Sequence, residues 1–325
     1  MKELEQLLPE VKANLVPLEQ MRVDAIAKSH RGNLSMLGAL GGGVVSSYLL
    51  SWLAIWAAII GGIATLIAIV VIYQKYIGGP FASYRQEFKR KFISGLLGSL
   101  ADDVRYSPSG DRLILSDYHR CELFTKSTDR ETLEDTIYAR IGQTDLAVSE
   151  IHTEYKETSR DKDGKTQTTW HTIFKGLFIS ADFHKEFRGK TFVRSDVAEK
   201  YFGQFARFVQ KPIFSSLELV QLEDPDFEKE FVVHSSNQVE ARYILTPSLM
   251  QKMLELKHRF GESVEFSFLN SRVYIAVSTS RNFFEPKLGQ SLNDPETLQG
   301  FLEQVRLCLG IVEDLDLNVR IWSKD

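Results

Sequence analysis

The sequence predicts an α-helical transmembrane hairpin followed by a cytoplasmic α+β domain with a mainly antiparallel sheet. Three observations support this fold class. A run of 43 residues from Gly32 to Gln74 contains no Asp, Glu, Lys, Arg or His. After it, strand-like segments come in pairs around short turns, and segments with helical spacing lie between those pairs. Hairpins that alternate with helices favour an antiparallel sheet over a doubly wound parallel one.

The composition excludes several classes of protein. Of the 325 residues, 43% are hydrophobic and 25% are charged, as in an average globular chain. A net charge of −4 gives no general attraction to nucleic acid, so no nucleic-acid partner is expected. Cys121 and Cys308 lie far apart and form no CxxC pair, which argues against a disulfide framework and a cysteine-rich zinc site. We expect no cofactor.

The uncharged run is long enough for two membrane crossings. One crossing needs about 20 apolar residues for a hydrocarbon core of about 30 Å. The turn is therefore expected near the middle, in the stretch SSYLLSW at 46–52, where serines interrupt the aliphatic residues. The alternative is a buried hairpin inside a soluble protein, but long helices in soluble proteins need a polar face, which this run does not have.

Aromatic and basic residues orient the predicted hairpin. Tyr and Trp rings favour the headgroup level of a bilayer, so the predicted interface residues are Tyr48, Trp52, Trp56, Tyr73 and Tyr76. Lys and Arg near membrane segments tend to stay cytoplasmic, and both ends of the run are basic. Two crossings between basic flanks predict a multi-pass protein of the cell inner membrane with both termini in the cytoplasm.

Small residues recur every four positions in both halves of the run, which lets helix backbones approach closely in lipid. The predicted helix-packing rows are Gly38, Gly42 and Ser46 in the first half and Ala54, Ala58 and Gly62 in the second. A parallel row consists of Ala57, Gly61 and Thr65. Two alternatives stay open, namely mutual packing of the two helices and oligomerisation through one row.

The chain divides into four predicted segments. They are an N-terminal amphipathic helical segment at 1–31, the two-helix transmembrane hairpin at 32–74, a basic amphipathic juxtamembrane helix at 75–104 and a soluble α+β domain at 105–325. The soluble domain could form two lobes with a boundary near 190–215. Pro9 and Pro17 indicate a short first helix, and GGP at 78–80 indicates a flexible break.

The juxtamembrane helix has an apolar face with strict four-residue spacing, which includes Tyr84, Phe88, Phe92 and Leu96. Its first half is also basic. Such a helix could place its aromatic face in the membrane interface while its cations contact anionic headgroups. Packing of this face on the protein itself is the favoured alternative, because most amphipathic helices face a protein core.

Turn and cap signals place the elements of the soluble domain. We predict a long hairpin over 149–183 around DKDG, a second hairpin that turns at Asn270 and Ser271, helices that start after Ser195 or Asp196, Thr246 and Asp294, and a closing strand LNVRIW. Asp224 and Pro225 are expected to start a short capped turn in the acidic stretch EDPDFEKEF. Arg242 lies between apolar neighbours and is predicted to anchor an internal ion pair.

The long hairpin contains the candidate metal ligands His152, Glu154 and His171. If Asp161 pairs with Gly164, Glu154 faces His171 and His152 lies diagonally opposite, so the three could hold a metal ion. A glycine bulge in the turn would shift the register by one residue and separate them. The alternative, which we favour, is a solvated strand face without metal. Phosphate-binding loops, HExxH and GxSxG are absent, so the catalytic residues, if any, are unknown.

Several short motifs resemble a bacterial family of domains of unknown function. They are FKGLF at 174–178, LEDPDFEKEFVV at 222–233, QVEARYILTPSLM at 238–250, FSF at 266–268 and FEP at 284–286. Members of that family are similar in layout, with a short N-terminal helix, two close membrane helices and a large soluble domain. The resemblance implies this placement and lends no activity, catalytic residue or ligand.

Two functions from different classes are compatible with the sequence. The first is a membrane protein, in contact with the lipid bilayer, whose cytoplasmic domain binds a protein partner as a scaffold or sensor. The second is a membrane-tethered, hydrolase-like enzyme with a polar site near the 149–183 hairpin. A polar pocket with convergent titratable groups would favour the enzyme, and an exposed sheet edge or apolar patch would favour the binding module.

Overall fold

The computed structural model describes residues 4–52, 55–101, 103–160, 165–195, 217–261, 263–315 and 317. The chain forms two compact units. The helical unit comprises Met1–Leu100 with Phe284–Glu303, and the sheet unit comprises Ala101–Phe283 with Gln304–Asp325. The stretch Phe284–Glu303, called the returning segment below, thus joins a unit whose other residues lie at the start of the chain.

The helical unit starts with two long apolar helices that form a hairpin. Its helices are α1 Leu4–Ser51, α2 Ile55–Tyr73, α3 Gly79–Glu87 and α4 Ser94–Leu100, with π-helical turns at Gln74–Gly78 and Phe88–Ile93. Two helical stretches, Asn14–Ser51 and Ile55–Leu100, are long and apolar enough to cross a membrane. Helices α1 and α2 pack together, and the chain turns at Trp52, the last residue of SSYLLSW. The predicted helical hairpin is confirmed.

The two apolar helices meet at small residues. A side chain added to Gly43 would overlap Thr65, and one added to Gly61 would come within 3.1 Å of Leu50. Close packing therefore uses the row that contains Gly61 and Thr65. The hydroxyl groups bond within their own helices, because Thr65 Oγ1 donates to the carbonyl of Gly61 at 2.9 Å and Ser46 Oγ to that of Gly43 at 3.0 Å. Both hydroxyls are therefore satisfied within the hairpin, as an apolar environment requires.

The glycines of the predicted packing rows lie away from this contact. A side chain added at Gly38, Gly42 or Gly62 would meet nothing within 4 Å. Ala58 is half-buried, and Ala54 lies outside the described residues. Each of the two helices thus uses one glycine-containing face for the hairpin and leaves another open.

The predicted interface aromatics flank the turn and the far end of the hairpin. Tyr48, Trp52, Trp56 and Tyr73 are all exposed, with Trp52 and Trp56 at 80% and 76%. Tyr76, at the far end, is half-buried. Rings with this exposure would lie against the headgroups if the hairpin spans a bilayer.

The prediction of a short N-terminal helix is wrong, because α1 runs without a break from Leu4 to Ser51. A proline removes one backbone hydrogen bond, and tertiary contacts can compensate for that loss. The turn after Pro17 has such contacts. Leu15 and Leu18 are buried on either side of it, and Glu19 accepts hydrogen bonds from the returning segment.

The predicted flexible break at GGP is also wrong, since the helix continues through it. The N–H of Gly79 donates to the carbonyl of Gln74, five residues earlier, in a π-helical turn. Because the π-helical turn is wider, the carbonyl that lies beneath the Pro80 ring is not the one an α-helix would place there. Pro80 also lies at the start of α3, where prolines are tolerated. Gly79 is needed because a Cβ atom there would lie 2.6 Å from the carbonyl oxygen of Gln74.

The apolar face of the juxtamembrane helices packs on protein, as favoured from the sequence. Tyr84, Phe88, Phe92 and Leu96 are buried. The ring of Phe88 lies 4.9 Å from that of Phe301, which belongs to the returning segment. A strict four-residue spacing outruns the 3.6 residues per turn of an α-helix, and the π-helical turn at Phe88–Ile93 adds the residue that keeps the face aligned.

Polar contacts fasten the returning segment to the same helices. Glu19 of α1 accepts hydrogen bonds from Ser291 Oγ at 2.8 Å and from the N–H of Leu292 at 2.9 Å. Lys89, which is buried, forms an ion pair with Glu285. A buried cation needs a partner of opposite charge, so Glu285 of the FEP motif has a structural role in the helical unit.

The described residues of the sheet unit form a nine-stranded antiparallel sheet in the order β1-β2-β3-β4-β9-β8-β5-β7-β6. The strands are β1 Val104–Ser107, β2 Arg130–Ile141, β3 Thr144–Arg160, β4 Thr166–Asp182, β5 Thr191–Ser195, β6 Glu218–Leu219, β7 Phe231–Ser235, β8 Ser263–Leu269 and β9 Arg272–Ser278. The helices are α5 Leu113–Arg120, α6 Pro225–Glu230, α7 Gln238–Ile244, α8 Pro247–Phe260 and α9 Pro295–Asp314. The predicted α+β class is confirmed.

Helix α5 packs against β3 and β4, and α8 packs against β8. The core beside α5 includes Tyr118, Cys121, Ile151, Phe174 and Phe178. The hydroxyl of Tyr118 is hydrogen-bonded to Thr153 Oγ1 at 2.7 Å, which satisfies it inside this core. The large sheet thus has a packed interior that can support an element extending beyond it.

The predicted caps at Asp224, Thr246 and Asp294 are confirmed. Asp224 accepts hydrogen bonds from the N–H groups of Asp226 and Phe227 at the start of α6. Thr246 caps α8 through the N–H of Leu249, and α8 ends at Gly261 with a φ of 62°. A left-handed residue at a helix end favours glycine.

The prediction for Arg242 is wrong, because its side chain is exposed and pairs with no acid among the residues that the structure describes. It donates hydrogen bonds to the carbonyls of Gln238 at 3.2 Å and Gln221 at 3.2 Å. Position 242 falls on the outer side of the short helix α7, whose buried residues are Ala241 and Ile244. Apolar neighbours in sequence do not imply burial on a helix of seven residues. The helix predicted after Ser195 and, apart from Leu317, the strand LNVRIW fall outside the described residues.

Candidate binding surface on the long hairpin

The long hairpin extends beyond the rest of the sheet. Strand β2 pairs with β3 only as far as Arg130 opposite Glu154, and β9 pairs with β4 only from Gly176 opposite Ser278. Residues 155–160 and 166–172 therefore pair only with each other among the described strands. We call these two stretches the ribbon. Most of its side chains are exposed, in contrast to the buried half of the hairpin.

A β-bulge separates the ribbon from the buried half. Thr153 lies opposite Phe174 and Glu154 lies opposite Thr172, which leaves Ile173 as the extra residue. Below the bulge, Gly176 of FKGLF has a φ of 153°, and a Cβ atom there would overlap the carbonyl oxygen of Val277. This close approach of β9 explains the glycine in the motif. The bulge lets the ribbon take its own register.

The three candidate metal ligands are not brought together. Tyr155, and not Glu154, lies opposite His171, because the ribbon has the shifted register. His171 therefore shares a face with Tyr155, whereas His152 and Glu154 lie on the other face. His152 Nε2 is 3.9 Å from a Glu154 oxygen and 3.3 Å from Thr172 Oγ1. The register that a shared metal site requires is not the one present.

One face of the ribbon carries an aromatic and cationic stack. The rings of Tyr155 and His171 are stacked with centroids 5.0 Å apart. Lys126 Nζ lies 4.2 Å from the centroid of the Tyr155 ring, and His171 Nε2 is 3.2 Å from a Glu157 oxygen. Cation–π contacts at exposed sites hold their rings in place with modest energy.

The opposite face carries a second such group. The guanidinium of Arg130 lies 4.0 Å from the centroid of the Trp170 ring and forms an ion pair with Glu154 at 2.9 Å. Trp170 is 42% exposed. Arg130 holds the indole against the strand while its outer side stays open to solvent. Exposed Trp, Tyr and Arg are the residue types that dominate protein interfaces.

The two edges of the ribbon differ in charge. The β3 edge carries Glu154, Lys156, Glu157 and Arg160. Asp129 also extends along this edge, because its N–H donates to the carbonyl of Glu154 at 2.8 Å and its Oδ2 accepts from the N–H of Lys156 at 2.8 Å. The β4 edge reads TQTTWHT over 166–172 and contains no Asp, Glu, Lys, Arg or Pro.

A shallow hollow lies at the other end of β4. Its volume is about 270 Å³, and its lining includes Asp182, His184 and Arg272. Arg272 pairs with Asp182 and donates to Ser180 Oγ at 3.0 Å, while His184 Nε2 is bonded to Thr144 Oγ1 at 3.1 Å. The charged groups of this hollow are thus engaged with one another.

The sequence did not point to Lys126 and Arg130 as part of this surface. They precede or begin β2, and only the pairing of β2 with β3 places them beside the ribbon. The register places Trp170 opposite Lys156. A usable signal was present in the alternation of aromatic and basic residues along the hairpin.

Both cysteine thiols are buried and chemically quiet. Burial raises the pKa of Cys121 to about 12, and burial also raises the pKa of Cys308. Because the thiolate is the reactive form, neither side chain is suited to nucleophilic or redox chemistry in the folded state.

Known proteins give a limited comparison. The crystal structure of the mycobacterial trehalose monomycolate transport factor A, TtfA, is similar to this chain with a TM-score of 0.34 and 11% sequence identity, over 70% of this chain and 96% of that one. A similarity this low carries no argument about the present chain. No curated protein sequence matches it. Residues 172–317, which contain all five motifs, match the family model described as protein of unknown function (DUF3137).

Proposed function

We propose that this protein is a bacterial inner-membrane protein with two crossings, whose cytoplasmic domain binds a protein partner through the ribbon and acts as a scaffold or sensor. The observation that carries the proposal is the ribbon itself. Seventeen-residue strands extend past both neighbouring ladders, and they carry the half-buried ring of Tyr155 beneath Lys126 on one face and the exposed ring of Trp170 beneath Arg130 on the other. A folded core gains little from such an element, whereas a partner can pair with its edges and cover its rings.

The membrane part of the proposal rests on α1 and α2. Their apolar faces are exposed, they join at a single turn, and basic residues flank the pair on both sides. We expect Ser51→Cys, beside the turn, to react with a membrane-impermeant thiol reagent that reaches the outer face of the inner membrane. Gln20→Cys and Gln251→Cys should stay unlabelled until the membrane is opened. The native thiols do not interfere, because both are buried. Labelling of Gln20→Cys in intact cells would overturn this topology.

The binding part can be tested with a photo-crosslinking amino acid at Thr168 in the full chain, in native membranes. Thr168 is exposed near the middle of the β4 half of the ribbon, and Gln251 on α8 is an exposed control position. We expect protein adducts from position 168 and none from position 251.

A matched pair of aromatic variants makes the test specific. Trp170 and Tyr243 are 42% and 41% exposed, and each lies beneath a cationic side chain. Trp170→Ala should reduce the adducts at position 168 at least fivefold, and Tyr243→Ala should leave them unchanged. Equal adducts from positions 168 and 251, or equal effects of the two variants, would contradict docking at the ribbon.

A further inference from the structure

We infer that the β4 edge of the ribbon pairs, antiparallel and edge to edge, with the same edge of a second copy of this chain. The inference rests on the proposed function, since it names the partner that the ribbon binds. It assigns one of the two ribbon edges to the contact, and it assigns a self-complementary stretch, residues 166–172, as the contact strand.

The choice of edge follows from how each is protected. Exposed strand edges in natural proteins are usually guarded against pairing by charges, prolines or covering segments. The β3 edge has four charged side chains within 154–160, and Asp129 occupies two of its backbone groups. The β4 edge has five exposed residues in succession over 166–170 and no guarding residue. Its threonines and tryptophan also suit a strand.

The ladder between β4 and β9 ends where the ribbon begins. In its last bond, the N–H of Thr279 donates to the carbonyl of Lys175 at 3.0 Å. From 166 to 172, no described strand lies on this side of β4. A strand added at this edge would continue the line of β9 along the ribbon.

A second copy fits this edge better than a charged peptide does. The edge offers no fixed charge that would select an acidic or basic segment, so its complement is another neutral strand. A two-fold axis through Thr169 places Thr168 opposite Trp170, Gln167 opposite His171, and Thr166 opposite Thr172. No like charges face each other in this register, and aromatic with β-branched pairs are favourable across strands. Such a contact is closed by symmetry and leads to a dimer.

Attachment to one membrane would favour this contact further. Two copies held in the same bilayer meet at a higher effective concentration than free domains do.

The test uses the full chain in native membranes with one new cysteine. Thr169→Cys lies on the proposed axis, opposite itself, and Ser159→Cys on the β3 edge is the matched control, since both positions are exposed. Mild oxidation should give a disulfide-linked dimer from Thr169→Cys in at least fivefold excess over Ser159→Cys. The native thiols are buried and should not contribute.

A charge variant supplies the second measurement. Thr169→Lys would set two like charges opposite each other and should lower dimer crosslinking, by an amine-independent photo-crosslinker at position 168, at least tenfold. Ser159→Lys should leave it unchanged. Unchanged melting of both variants would show that the fold is intact.

The outcomes separate this inference from the proposed function. Adducts at position 168 that contain only a different protein would overturn the self-pairing and keep the ribbon as a docking surface. Absence of any adduct would overturn both. Equal dimer yields from Thr169→Cys and Ser159→Cys would overturn the assignment of the β4 edge.

Discussion

The sheet contains two hairpins of very different construction. The β8–β9 hairpin has strands of seven residues, turns at Asn270 and Ser271 with φ values of 52° and 56°, and is paired on both sides by β5 and β4. The β3–β4 hairpin has strands of 17 residues and is paired on both sides only in its buried half. The first hairpin serves the core, and the second leaves the core halfway along.

The difference shows what fixes strand register. A slip by one residue in β8–β9 would turn buried residues such as Phe266 and Ile275 to the wrong face, so burial specifies the pairing. The ribbon has exposed side chains on both faces, and nothing in a core opposes a slip. Among the described residues, its register is set instead by the bulge at Thr153 and Glu154.

The largest contrast between the hairpins should appear on truncation of a side chain. Ile275 is fully buried between β4 and β8, so Ile275→Ala should lower the free energy of unfolding by about 2–5 kcal/mol. Thr168→Ala in the ribbon should change it by less than about 0.5 kcal/mol. Denaturant unfolding of the full chain in detergent measures both, and similar losses would show that the ribbon is part of the core.

The next contrast concerns the junction between the two halves of the long hairpin. Gly176→Ala should cost about 2–4 kcal/mol, because the new methyl group overlaps the Val277 carbonyl and φ is positive. Thr172→Ala, four residues away in the ribbon, provides the control and should be close to neutral. A stable Gly176→Ala variant with an unchanged melting temperature would contradict the close approach of β9.

The turn of the short hairpin should show a smaller effect. Asn270 has a φ of 52°, which alanine adopts at a cost of about 1 kcal/mol, whereas glycine adopts it freely. We therefore expect Asn270→Ala to lower the free energy of unfolding and Asn270→Gly to preserve it. The same result for both variants would mean that the side chain of Asn270, and not its backbone angle, is what matters.

The smallest effect on stability is expected inside the ribbon. Arg130→Met removes the cation above Trp170 and the ion pair of the exposed Arg130 with the half-buried Glu154, and should cost about 0.5–1 kcal/mol. The indole should then become more mobile, which fluorescence anisotropy in a variant without the other tryptophans would report. Unchanged anisotropy would show that Arg130 does not hold the ring.

Local rules in the sequence were sufficient for much of the fold. The caps at Asp224 and Thr246, the turn at Asn270 and the hydrophobic hairpin depend on residues close in sequence, and the structure has them where they were predicted. The ribbon register was not predictable, because a bulge is set by the whole sheet. The position of Arg130 beside the ribbon was not predictable either, because it depends on the pairing of β2 with β3.

The continuity of the helices was missed for a related reason. Pro17 is a local signal for a helix end, and contacts with distant residues outweigh it. At Pro80 a π-helical turn carries the helix past the proline. Glu19 has its partners, Ser291 and Leu292, more than 250 residues later in the chain. A short window of sequence does not contain both Glu19 and its partners. The sequence of the returning segment also does not indicate that it packs with the helical unit.

The returning segment has a consequence for how the chain is made. The face formed by Tyr84, Phe88 and Phe92 emerges from the ribosome early, while its cover ends at Glu303, 203 residues after Leu100. At about 5–20 residues per second, that face waits roughly 10–40 s for its cover. A nascent chain that stalls before Phe284 would leave Phe88 and Phe92 without the ring of Phe301, and partly uncovered aromatic rings are the kind of surface that chaperones and quality-control proteases bind.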